Sequence, residues 1–126
     1  NFFLSLQHDK VKKEMKEQVF RLILTEEAQD FIEHLPQAAG DKIYYNISRV
    51  ANGERNRELF KKLEGTDIWE FRTLYNGIQY RLFAFWDREE ETMVIATHGI
   101  VKKTWKVPSK EIAKAERIRK LYFESK

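Results

Sequence analysis

The apolar positions of this chain fall into helical and strand-like spacings in turn. Val19 to Leu24 is a short run rich in branched residues and reads as a strand. Thr25 follows as a helix N-cap, with Glu26 and Glu27 in the positive first turn. Ala28, Phe31, Ile32 and Leu35 then fall at i, i+3, i+4 and i+7, the spacing of an amphipathic helix, which Pro36 ends. A second helix is predicted from about Ala39 to Ala51, with Ile43, Ile47, Val50 and Ala51 on one side and Asn52-Gly53 as its stop. The connection between the two is short, so they form an antiparallel hairpin.

Next come the polar stretch Glu54 to Glu58 and then Leu59, Phe60 and Leu63, where no strand is read; Gly65 and Asp67 mark a loop. Three strands follow. Ile68 to Tyr75 places Trp69, Phe71, Thr73 and Tyr75 on one face and Glu70 and Arg72 on the other. Asn76-Gly77 is a strong hairpin signal. Ile78 to Trp86 sets Ile78, Tyr80, Leu82 and Ala84 against Gln79, Arg81, Phe83 and Phe85. An acidic turn, Asp87 to Glu91, leads to a third strand, Met93 to Val101, interrupted by His98-Gly99. Val107-Pro108-Ser109 opens a last helix, with Ile112, Ala115, Ile118 and Tyr122 facing inward. The order β-α-α-β-β-β-α predicts an α+β fold, a twisted, mostly antiparallel sheet with helices packed on it and the first strand at one edge. Residues 18–126 form one domain on this reading. Residues 1–17 are an extension of undetermined structure, either a short helix or an arm, in which Val11 and Met15 lie four apart.

Composition narrows the function. The chain has 126 residues, 42% of them apolar and 13% aromatic, too many for a disordered chain. With no cysteine, disulfide scaffolds, thiolate zinc sites and cysteine nucleophiles are excluded. No apolar run approaches the ~18 residues of a membrane span. Phe2 to Leu6 is apolar but lacks a basic leader and a small-residue cleavage site, so the expected compartment is the cytoplasm. The net charge of +3 hides an asymmetry, because residues 102–126 hold nine Lys or Arg and three acids. A basic end on a slightly acidic body suits a polyanion or an acidic protein partner, although charge alone favours a solvated helix face.

The familiar catalytic signatures are missing: no phosphate-cradling glycine loop, no HExxH and no GxSxG. His8, His34 and His98 have no metal-ligand spacing, so neither a metal nor another cofactor is expected. A two-residue loop at Asn76-Gly77 pairs Tyr75 with Ile78 and therefore Arg72 with Arg81. Two opposed guanidinium groups repel by an amount on the order of 0.2–1 kcal/mol. A site that grips phosphate explains them, since the arginine fork matches two phosphate oxygens. Neutralisation by Glu70 and a C-terminal acid is the structural alternative. His98 is either a proton-transfer group or a satisfied structural histidine, and Gly99 signals a bulge or a close backbone approach. Lys102, Lys103 and Lys106, with Lys61 and Lys62, are candidates to line one basic groove with the arginines. Trp69, Tyr75, Tyr80 and Trp105 are candidates to stack on bases, or else core residues.

Together, Ile68-Trp69-Glu70-Phe71-Arg72, Tyr80-Arg81-Leu82-Phe83 and the run from His98-Gly99 through Lys102-Lys103-Thr104 to Pro108 resemble the HigB-like, phage-derived branch of the RelE/ParE toxin superfamily. Leu24 to Ala28 and Phe31 to Pro36 fit the same pattern, and the resemblance extends from about Val19 to Phe123. It implies the RelE/ParE fold and a toxin of a type II toxin–antitoxin system whose partner is a helix-turn-helix antitoxin. RelE and HigB relatives are metal-independent, ribosome-dependent mRNA endonucleases; ParE relatives inhibit DNA gyrase by binding it. Carried over, Arg72 and Arg81 match the strand arginines and His98 the strand histidine of a catalytic set, and Lys102 and Lys103 match paired lysines. Lys106, Lys61, Lys62 and Tyr75 are further RNA-binding candidates. The expected activity is cleavage of mRNA on the ribosome, which stops translation. The alternatives are a gyrase-binding toxin and a non-catalytic RNA-binding remnant.

Overall fold

The computed structural model describes residues 18–89 and 91–126. Strand β1, Arg21–Leu24, turns Leu22 and Leu24 toward the core and leaves Arg21 and Ile23 exposed. Thr25 caps helix α1, Glu26–Glu33: its Oγ1 accepts from the Ala28 N–H at 3.1 Å and donates to the Thr97 carbonyl at 2.8 Å. The cap thus starts the helix and also ties it to the sheet. Helix α2, Gln37–Ala51, starts at Pro36 and ends at Asn52, followed by Gly53 at φ +102°.

A strand absent from the sequence reading comes next. Strand β2, Phe60–Lys62, pairs antiparallel with β3, Trp69–Tyr75, opposing Phe60 to Phe71, Lys61 to Glu70 and Lys62 to Trp69. Three residues are too few to show a period of two. Pairing with β3 makes this segment a strand, and the Phe60 ring stacks on Phe71 at 4.3 Å and on Trp69 at 4.8 Å. Strand β4, Ile78–Asp87, follows the turn at Asn76 (φ +51°) and Gly77 (φ +76°). The register is the predicted one, with Tyr75 opposite Ile78 and Arg72 opposite Arg81. Strand β5, Met93–Lys102, pairs antiparallel with β4 and parallel with β1, giving the sheet order β1-β5-β4-β3-β2. Between β4 and β5 the register slips at Phe83/Ala84: Phe83 opposes His98, Ala84 opposes Ala96, and Thr97 is the extra residue.

The sheet has one core on each face. On one face the α1/α2 hairpin packs Ile32, Ile43 and Ile47 on Phe71, Leu82 and Val94. On the other, helix α3, Ser109–Glu124, covers Ile68, Phe83, Phe85 and Ile95, with its own Ala115 fully buried against them. The alternation of β4 assigns Phe83 and Phe85 to the α3 face and Leu82 and Ala84 to the hairpin face. Among the described residues, no helix is long and apolar enough to cross a membrane.

Candidate functional site

The α3 face carries the charged residues of the strands, toward the end where the Asn76-Gly77 turn lies. Glu70, Arg72 and Arg81 share that face because they alternate with Phe71, Leu82 and Tyr80 of the hairpin core. Lys61 lies opposite Glu70 on β2, and Lys102 lies opposite Gln79 on β5. Four strands therefore bring Lys61, Arg72, Arg81 and Lys102 around one carboxylate. Glu70 Oε1 lies 3.4 Å from Arg72 Nε, and Glu70 Oε2 lies 3.5 Å from Arg81 Nε. Glu70 is the one carboxylate paired with these arginines among the described residues, and no acid of α3 joins it.

The two arginines are not equivalent. The Arg81 side chain is 2% exposed and the Arg72 side chain 29%. Arg81 Nη1 donates to Gln79 Oε1 at 2.9 Å, and Arg72 Nη1 donates to the Arg57 carbonyl at 3.2 Å. Burial lowers the Arg81 pKa, as does Arg72, against the pull of Glu70; the guanidinium stays protonated because its ordinary range is so high. Lys102 is also held below the usual lysine range, first by burial and then by the charge of Arg81. Such a lysine gives up its proton more readily than a free one.

His98 lies on the same face, one strand over and two residues along from Arg81, but under α3. Its side chain is 2% exposed and its ring packs on Phe83 at 5.1 Å between centroids. Glu111 Oε1 of α3 is 3.3 Å from Nε2, and Thr97 Oγ1 is 3.0 Å from Nδ1. The Thr97 hydroxyl has one proton, and the Phe83 carbonyl, 3.3 Å from Oγ1, competes with Nδ1 for it. Burial and nearby Lys114 push the His98 pKa down, and Glu111 and Glu27 pull it up less strongly. Lys114 itself donates to Glu27 of α1, so an ion pair closes over the edge of β5 beside the ring.

The remaining candidates separate. Lys103 and Lys106 are exposed in the loop after β5. Lys62 lines a different groove, about 1030 Å³, formed by α3 and the β2–β3 loop, together with Arg117 and Lys120. Tyr75 falls on the hairpin face, on the same side as Thr73, which accepts from Asn46 Nδ2 of α2 at 3.2 Å. Tyr80 is buried in the hairpin core, and Trp69 packs on Phe60. A cleft of about 420 Å³ opens where β3 runs past the end of β2, and Lys42 and Arg49 of α2 line it with Arg72 and Arg81. Sequence reasoning missed these two. Their signal is a polar stripe, Lys42, Asn46 and Arg49, at i, i+4 and i+7 on α2. Among the described residues, no group of three or more His, Asp or Glu is placed to hold a metal ion.

Compared with known proteins, residues 30–120 match the family described as "Phage derived protein Gp49-like (DUF891)". Among solved structures, the chain is similar to a chain of the toxin–antitoxin complex RelBE2 from Mycobacterium tuberculosis. The two are 22% identical, the match covers 66% of this chain and 98% of the other, and the TM-score is 0.43. No curated protein matches.

Proposed function

Because this chain belongs to the Gp49-like phage-derived family, a RelE-like toxin family, we propose that it is the toxin of a type II toxin–antitoxin pair and a ribosome-dependent mRNA endonuclease. One observation carries this reading: four cations from four strands share a sheet face with a single carboxylate. Lys61, Arg72, Arg81 and Lys102 repel one another, and a run of phosphates relieves that repulsion. The partners on this reading are mRNA seated on the ribosome and a helix-turn-helix antitoxin that covers the basic face.

The chemistry suited to such a site needs no metal. A 2′-hydroxyl loses its proton and attacks the adjacent phosphorus. The bond from phosphorus to the next nucleotide's 5′-oxygen breaks, and that oxygen takes up a proton. A 2′,3′-cyclic phosphate and a 5′-hydroxyl result, so atoms and protons balance. Arg72 meets the phosphate directly, and Arg81 holds positive charge beneath it, where charge builds in the transition state. Lys102, with its lowered pKa, transfers a proton at the reacting oxygens. His98 joins in proton transfer only when Glu111 and the first turn of α3 move off Nε2. The ribosome supplies the orientation that so sparse a site lacks.

Primer extension on mRNA from cells expressing the protein tests this. Translated messages should gain new 5′ ends. Arg72→Ala and Lys102→Ala should each remove them, by a factor on the order of 10²–10³ for lost charge stabilisation at Arg72, with the fold intact. Uncut messages with replication arrested before translation would instead establish the gyrase-binding reading.

A further inference from the structure

Trp105 is the most exposed large apolar side chain among the described residues. It is 89% exposed; the next, Leu74, is 59% exposed. We infer that Trp105 is a stacking platform for a nucleobase of single-stranded RNA whose adjoining phosphates lie on the Lys102 and Arg72 side of the sheet. The inference rests on the RNA reading above for the class of ligand, but not on cleavage.

Three features of the loop support it. The first is presentation. β5 ends at Lys102, and Val107 returns the chain to the core beneath α3, so only residues 103–106 span the gap. Thr104 Oγ1 donates to the Lys106 carbonyl at 2.5 Å and closes the turn. An indole on so short a tether loses little conformational freedom when a base stacks on it. The second is charge. Lys102, Lys103 and Lys106 lie within three positions of Trp105 in the sequence, and no Asp or Glu occurs between Met93 and Lys110. A ligand that offers negative charge and flat π-faces in alternation fits that pattern, as single-stranded nucleic acid does. The third is reach. Only Lys103 and Thr104 lie between Lys102 and Trp105, so the Cα atoms of the two are at most about 11 Å apart. A base beside a phosphate held at Lys102 is therefore within range of the ring. The other aromatic candidates lack these features: Tyr80 is buried, Trp69 packs on Phe60, and Tyr75 falls on the hairpin face.

The test compares two ligands on the full chain: a short single-stranded RNA, and the same sugar–phosphate backbone without bases. The wild type should bind the RNA more tightly. Trp105→Ala should weaken RNA binding roughly 5- to 100-fold and leave binding of the abasic strand unchanged, with the same salt dependence, because no charge is altered. Trp105→Phe should restore most of the loss. The thermal midpoint should not move, since the side chain is exposed. Three outcomes would overturn the inference: unchanged RNA binding, equal weakening with both strands, or lost binding of a protein antitoxin with RNA binding intact. If wild-type protein cuts no message yet shows base-dependent binding through Trp105, the nuclease reading fails and this inference stands.

Discussion

At Gly99 an added Cβ would stand 2.3 Å from Phe31 Cδ2, nearer than non-bonded carbons tolerate. Phe31 is part of α1, and this contact lets the helix lie directly on β5. Gly99→Ala must displace the ring or bend the strand, which should cost about 1–3 kcal/mol. The expected readout is a lower urea midpoint with an unchanged slope, and Phe31→Leu in the same chain should recover part of the loss. The sequence offered two explanations for a glycine in this strand, a bulge or a close approach, and the close approach is the one that accounts for Gly99, which pairs in register with Leu82. The bulge is at Thr97. Nothing local identifies Phe31 as the partner, because the contact joins segments far apart in the chain. Arg72 and Arg81 show the opposite case: a two-residue turn connects them, so alternation and turn chemistry suffice to pair them.

Helix α3 is anchored by titratable contacts near both ends. Near its start, Glu111 faces His98 and Lys114 pairs with Glu27. Near its end, Tyr122 and Lys126 donate to Asp87 at 2.5 Å and 2.6 Å, and the Glu89 N–H donates to the same carboxylate. These hydrogen bonds, with Lys126 first, lower the Asp87 pKa to about 2. Both His98 and Asp87 have folded pKa values below the unfolded ones of 6.5 and 3.8, so the contribution of each is present above its unfolded value and lost as pH falls. Acidification should therefore destabilise the protein in two stages, one beginning below pH 6.5 and one between pH 3.8 and about 2. Thermal midpoints measured across this range check it: Asp87→Asn should abolish the second stage and keep the first. The sequence marked the anchor near the end only as an acidic turn and an inward-facing tyrosine, and gave no sign that Glu111 would face His98. It missed β2 for a related reason, since a three-residue strand has no pattern of its own and exists through its pairing with β3.

At the scale of the whole molecule, the sheet separates two environments. One face is sealed by the helical hairpin. The other is covered by α3 over Phe83, Phe85 and Ile95, and carries the cations Lys61, Arg72, Arg81 and Lys102 toward the β3–β4 turn. If Lys61, Arg72 and Lys102 contact phosphates, with Arg81 beneath them, log K for single-stranded RNA should fall against log salt with a slope of about −2. A slope near zero would count against the basic face as the binding surface. Sequence by itself determined the element order apart from β2, the hairpin register and the sharing of one face by Glu70, Arg72 and Arg81, because alternation and short turns are local rules. Only the tertiary structure decided how the candidates divide. Three long-range arrangements did this: the Thr97 bulge, the seat of α3 and the pairing of β2. They leave Lys61, Arg72, Arg81 and Lys102 around one carboxylate, enclose His98 against Glu111, direct Lys62 into another groove and leave Trp105 in solvent. A neighbour distant in sequence sets a side chain's burial and charge environment, and no pattern along the chain specifies that neighbour in advance.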